Sequence, residues 1–143
     1  MANILTQVVG EKEILVFHPS RVNELDIPPG ASSSRIPDIF SSQLRCHGYH
    51  AILKPGDAIY IPPIWPHATK PLTPNVGVNV FWRSFDNEVY DRAKDVYGNK
   101  DLAAYSEGRK SLERIVKGFK NVGADAKAFY IKRLASELES LST

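Results

Sequence analysis

Cysteine is nearly absent from this sequence. The 143 residues include one, Cys46, so no disulfide can close within the chain. A chain without internal disulfides fits a reducing compartment, and a cytoplasmic location is the expectation. Long apolar runs are also missing, and none approaches the length that crosses a bilayer, so no membrane association is expected. The opening residues Met1-Ala2-Asn3-Ile4 lack a positive stretch ahead of an apolar block, so they do not read as a secretory signal. Neither sign of charge dominates: 18 Lys and Arg stand against 16 Asp and Glu, for a net charge of +2.

What is present is ordinary for a folded domain. Hydrophobic residues make up 43% and charged residues 24%, enough to bury a core and too apolar for a disordered chain. The length suits one domain or an incomplete one. The charge is unevenly spread. Residues 1–82 are neutral, residues 83–134 carry twelve basic and eight acidic side chains, and Glu137 and Glu139 follow in the tail. A mildly basic second half is compatible with an RNA partner, but charge alone favours a solvated helical surface.

The first half reads as strands and turns. Asn3 to Val9 is rich in β-branched and apolar residues and stops at Gly10. Glu13 to Phe17 follows after a short polar break, and the pair is expected to form a hairpin on Gly10. Pro19 to Leu25 has room for one helical turn. Pro28-Pro-Gly-Ala-Ser-Ser-Ser34 is a loop. Short strands are expected at His50–Leu53 and Ala58–Ile61, joined by a tight turn at Lys54-Pro-Gly-Asp57, and a longer one at Val76–Trp82. Short strands with Gly/Pro punctuation predict a barrel or sandwich.

The second half changes period. Leu102, Tyr105, Leu112, Ile115, Val116 and Phe119 recur at helical steps, with Asp101 as the expected N-cap. Ala128, Ile131, Leu134, Ala135, Leu138 and Leu141 repeat the pattern after a break at Gly123. Strands first and helices after predict an α+β chain.

Four histidines are the residues most able to carry chemistry: His18, His47, His50 and His67. Taken singly, each is expected on the surface or in the packing ahead of a place at a metal. His67 has the most rigid setting, between Ile61-Pro-Pro-Ile-Trp-Pro66 and Ala68-Thr69, at a strand end where a ligand is held without flexibility. Lys12 is the second candidate. Turned inward, its ammonium would need an anion, which a dicarboxylate would supply; turned outward, it is an exposed hairpin lysine. Cys46-His47-Gly-Tyr-His50 lacks the second ligand pair a zinc site requires. Asp57 is explained by its turn. Strand alternation puts Asn79 and Phe81 on one face and Val80 and Trp82 on the other. Which face lines an interior stays open, as does whether Tyr60, Phe81 and Trp82 line a pocket or simply fill the core.

Leu53-Lys-Pro-Gly-Asp-Ala-Ile-Tyr-Ile-Pro-Pro-Ile-Trp-Pro-His67, followed by Gly77-Val-Asn-Val-Phe-Trp-Arg83, resembles the end of a JmjC (cupin-like) domain. Asn3 to Lys12 resembles the stretch after that family's His-X-Asp motif. Asp95 to Asp101 and Phe129 to Leu134 narrow the resemblance to JmjC proteins of tRNA wybutosine biosynthesis. That group includes a stand-alone hydroxylase and the C-terminal domain of a bifunctional fungal methyl- and methoxycarbonyltransferase. The Pro28–Ser34 loop looks more like the latter.

The resemblance implies an incomplete double-stranded β-helix (cupin/JmjC jelly roll) over residues 1–85 and a C-terminal helical region over 86–143. It implies Fe(II) and 2-oxoglutarate as cofactors of the intact parent. His67 matches a metal ligand, Lys12 a partner of the outer carboxylate of 2-oxoglutarate, and Asn3 a polar residue holding that co-substrate. Asn79 and Trp82 are placed in the same pocket. The His-X-Asp motif is expected just ahead of Met1, which would make Met1 an internal methionine and leave this segment inactive alone. Phenylalanine tRNA is the implied partner, and the C-terminal helices are expected to form a homodimer. Two other readings stand beside this one: a JmjC protein hydroxylase, and a non-catalytic cupin-like scaffold.

Overall fold

The computed structural model describes residues 1–90 and 101–142. Two compact units result, Met1–Asp101 and Leu102–Thr143. Among the described residues the first has six strands, β1 (Ala2–Val9), β2 (Lys12–Val16), β3 (Tyr49–Leu53), β4 (Ala58–Ile61), β5 (His67–Pro71) and β6 (Val76–Trp82), with short 3₁₀ turns between some of them. They form two antiparallel three-stranded sheets, in the orders β4-β1-β6 and β3-β2-β5.

The sheets lie face to face. Leu5 from β1, Ile14 and Val16 from β2, Leu53 from β3 and Ile61 from β4 make one buried cluster, with Trp65 packed against it. The opposite face of β2 is buried too. Leu15 and Phe17 join Leu25 in a second cluster, covered by Ile27, Ile39, Phe40 and Leu44 from the long connection before β3. An alternating strand buries one face; β2 buries both, which explains its unbroken Ile-Leu-Val-Phe run.

The expected hairpin between residues 3–9 and 13–17 does not form. Both edges of β1 are taken, by β4 and β6, so no edge is left for β2. The chain instead turns at Gly10, with φ +70°, and crosses to the other sheet. Residues 67–71 carry no strand signature, with Ala, Lys and Pro among them, yet pair with β2 as an edge strand. Pro71 is tolerated at that strand's end. The remaining strand expectations hold within a residue or so. The single turn after Pro19 is a 3₁₀ turn at Pro19–Arg21.

The second unit is two helices, α1 (Ala103–Gly118) and α2 (Ala124–Ser140). Phe119 stacks on Tyr130 at 6.0 Å, tying the end of one helix to the start of the other. The N-cap of α1 is Leu102 rather than Asp101, without a side-chain cap; the first helical bond runs from Ser106 N–H to the Leu102 carbonyl. Of the Asp95–Asp101 segment, residues up to Lys100 lie outside the described residues. Among the described residues no helix is long and apolar enough to cross a membrane.

Gly10 and Gly56 both have positive φ, +70° and +96°. A Cβ at Gly56 meets nothing within 4 Å, whereas at Gly10 it lies 2.1 Å from the Pro74 carbonyl oxygen. Gly56→Ala is therefore expected to cost only the left-handed penalty, about 1–2 kcal/mol. Gly10→Ala should cost at least twice that, since backbone must also move. Urea unfolding midpoints of the two variants check the order.

Candidate functional site

Cross-strand partners share a face, so the register assigns each side chain to the inside or outside of the sandwich. Asn3 sits opposite Ile61 and Phe81, Leu5 opposite Ile59 and Asn79, and Gln7 opposite Gly77. Leu5 and Ile61 are core residues, so Asn3, Gln7, Asn79 and Phe81 look inward. In the other sheet Lys12 lies opposite Leu53 and Pro71, and Val16 opposite Tyr49 and His67, on the face of buried Ile14. Lys12 and His67 therefore look inward as well. Trp82 lies opposite Ala2, one position out of phase, and stacks on Tyr60 at 6.0 Å on the outer face with Ile4 and Val80.

A cavity of about 810 Å³ opens at the end of the sandwich occupied by His67. Asn3, Ile61, Trp65 and Phe81 line its base, and Ser32, Asp38 and Phe40 of the long connection form a wall. Lys12 and Asn79 are not in its lining. They lie further along the inner face: His67 is level with Val16, and Lys12 is four residues down the same strand, about 13 Å at 3.3 Å per residue.

His67 is positioned by its own approach segment. Pro62, Pro63 and Pro66 restrict the backbone, and Ile64 adopts φ +61°, a conformation β-branched residues rarely occupy. The Trp65 ring is held edge-on to His18 at 5.2 Å and beside Tyr49 at 5.9 Å. The Phe17 N–H donates to the Pro66 carbonyl at 2.8 Å, fastening the segment to β2. His67 Nδ1 lies 3.1 Å from the Trp65 carbonyl oxygen. A carbonyl only accepts, so Nδ1 carries a hydrogen, and in the neutral ring that leaves the lone pair on Nε2. Metal-bound histidines are oriented in the same way.

The other histidines are otherwise engaged. His18 Nδ1 accepts from the Ser20 N–H, His47 pairs with Glu24 at 3.2 Å, and His50 pairs with the buried Glu13 at 2.8 Å. The Cys46 side chain lies outside the described residues. Among the described residues no three of His, Cys, Asp and Glu gather as a metal site. An iron centre of the two-histidine, one-carboxylate kind needs three such donors. His67 alone does not meet that requirement.

An anion fits better. Lys12 Nζ reaches across the gap to lie above Gly77 of β6, in the opposite sheet. Among the described residues no carboxylate is within ion-pair distance of it. Asn3 and Gln7 are both buried, and Asn3 Oδ1 and Gln7 Oε1 have no hydrogen-bond donor among those residues. The space between the sheets thus holds an ammonium, which suits an anion, and two buried acceptor oxygens, which call for donors. Gln7 is absent from the sequence reading, although it shares strand and face with Asn3, four residues on. Alternation alone signals it.

The cavity wall carries a fixed negative charge. The Phe40 N–H donates to Asp38 Oδ1 at 2.9 Å. That bond, with further help from Ser41, holds the carboxyl below the usual aspartate range. A depressed carboxyl favours the folded loop above its unfolded pKa, and the contribution disappears as pH falls through the folded value. Carbon-13 NMR should show Asp38 titrating below a reference aspartate, and Ser41→Ala should move it part of the way back.

Residues 1–88 match the family described as Cupin-like domain. The chain is 45% identical to tRNA wybutosine-synthesizing protein 4 of Gibberella zeae over 144 residues, 96% of this chain and 14% of that protein. It is 42% identical to the Neurospora crassa protein of the same name over 150 residues, 96% of this chain and 12% of the relative. It is also 37% identical to tRNA wybutosine-synthesizing protein 5 of Danio rerio over 147 residues, 98% of this chain and 44% of the relative. The chain thus spans about an eighth of the first kind of relative and under half of the second. With two antiparallel sheets closing on an inward-facing polar row, and with this match over its strands, the chain belongs to the Cupin-like domain family.

Proposed function

We propose that this chain serves tRNA wybutosine modification, offering a cavity for the modified base and, deeper between the sheets, an anchor for a carboxylate at Lys12. The observation that carries the reading is that His67, Asn3 and Lys12 all look into the space between the two sheets, Asn3 from one sheet and His67 and Lys12 from the other, in a chain whose relatives are named for wybutosine synthesis. The cavity is apolar at its base, with Trp65 and Phe81, and polar along its serine-bearing wall. That combination suits a flat base carrying hydrogen-bonding edges. Lys110, Arg114, Lys117, Lys120, Lys132 and Arg133 are exposed on or beside the two helices, in keeping with contact to a phosphate backbone.

Iron(II) and 2-oxoglutarate belong to this proposal. His67 is this chain's contribution toward the metal, and Lys12 and Asn3 its contribution toward the co-substrate. Bound together, the two groups would supply oxygen activation for hydroxylating a carbon. With one suitably placed donor among the described residues, no reaction step is routed through iron here. The same observation favours a second reading, in which the sandwich is a non-catalytic scaffold for a tRNA-modifying partner domain.

Nucleoside mass spectrometry of phenylalanine tRNA separates these readings. Disrupting the gene should remove wybutosine or its hydroxylated form, and reintroducing the wild-type gene should restore it. His67→Ala should restore at least ten-fold less. Full restoration by His67→Ala would favour the scaffold. An unchanged profile on disruption would overturn the tRNA proposal and return a protein side chain as the substrate to test.

A further inference from the structure

The row of inward-facing polar residues includes one that neither the cavity nor the metal reading uses. Gln7 is 1% exposed. Its Nε2 donates to the Val9 carbonyl at 2.7 Å and to the Gly10 carbonyl at 3.0 Å. Both amide hydrogens are committed, so the amide cannot flip; reversed, its carbonyl would face two carbonyl oxygens. Oε1 is therefore held pointing the other way, toward β6, and nothing among the described residues donates to it. A buried acceptor left without a donor is costly and calls for a partner.

A mobile donor, the Lys12 ammonium, lies close by. A Cβ placed on Gly77 would lie 3.3 Å from Gln7 Oε1 and 3.2 Å from Lys12 Nζ. The two heads therefore lie no more than about 6.5 Å apart, the sum of those distances, over the one residue there without a side chain. Lysine ends in three rotatable donors on a flexible stem, and glutamine offers one fixed acceptor. Gln7 is neutral, so a hydrogen bond from one ammonium N–H of Lys12 leaves the positive charge unmatched and two donors free.

We propose that Gln7 and Gly77 are positioning residues for a carboxylate site at Lys12. Gln7 Oε1 accepts a hydrogen bond from one ammonium N–H and aims the other two along the inner face, while the bare Cα of Gly77 leaves the space in which the ammonium meets the ligand. The ligand class is the small dicarboxylate already proposed as co-substrate. One carboxylate matches the single positive charge, and the surroundings, Leu5, Leu53 and Ile14, favour a short carbon chain over a phosphate. The proposal rests on Lys12 as the anion anchor and not on tRNA as the substrate.

The test uses the whole 143-residue chain with succinate and 2-oxoglutarate, followed by calorimetry and by NMR of the Lys12 ε-methylene and the Gln7 side-chain amide. The chain should bind a dicarboxylate one-to-one, with both signals shifting on saturation, and Lys12→Met should abolish binding. Gln7→Glu sets a carboxylate beside the ammonium, so it should compete with the ligand and weaken binding at least ten-fold with the fold intact by circular dichroism. Gly77→Ala should weaken it to a similar degree, since Lys12 Nζ must give way. Unchanged affinity in Gln7→Glu would overturn the role of Gln7. Should that variant not fold, a Gln7 amide signal that stays still on saturation of the unaltered chain would overturn it as well. Absence of dicarboxylate binding by the unaltered chain would overturn the Lys12 anchor together with this inference. Loss of the tRNA phenotype alone leaves it standing.

Discussion

The structure depends on the two-sided burial of β2. Ile14 and Leu15 are both fully enclosed, one toward the opposite sheet and the other toward the long connection that covers the outside. Two large aliphatic side chains leaving water contribute about 1.5–3 kcal/mol each, but their greater effect is on register. A slip of one residue would exchange the two faces, placing Leu15 among residues shaped for Ile14 and pushing Lys12 outward. Every functional position in the second sheet is counted from β2, His67 through its pairing with Val16 and Lys12 within the strand itself.

That dependence explains which parts of the fold were legible in the residues alone. Val76–Trp82 and Asn3–Val9 announced themselves by β-branched content, and the Lys54–Asp57 turn by Pro-Gly followed by an aspartate that caps it. Asp57 Oδ2 accepts from the Lys54 N–H at 2.8 Å. The two helices were visible in their period. Partner choice was not visible. A short link through glycine ordinarily joins neighbours in one sheet, and only the occupation of both β1 edges by distant strands sends β2 elsewhere. β5 was equally hidden, since its residues gain extended structure from pairing with β2 rather than from their own preference.

The site was legible to a similar extent. The proline-braced approach to His67 marked it as the histidine held most rigidly, and the structure adds a carbonyl that fixes its tautomer. Alternation separated Asn79 from Trp82 before either could be assigned; the burial of Leu5 and Ile61 settles that Asn79 shares the inner face and Trp82 the outer. The direction of Lys12 was undecidable from local sequence, because it turns on which neighbours Ile14 buries against. Its proximity to Gly77 is a relation between two sheets and has no trace in either segment.

Lys12 begins in one sheet and ends over a strand of the other. It reaches from β2 to β6 across a space held mainly by non-directional apolar contacts. Such contacts resist separation of the layers but offer little resistance to sliding. A charged strut held at both ends resists sliding too. Whatever engages that ammonium from within the gap would stiffen the two layers against shear, so occupancy would register as a mechanical property of the whole sandwich and not only as a local bond.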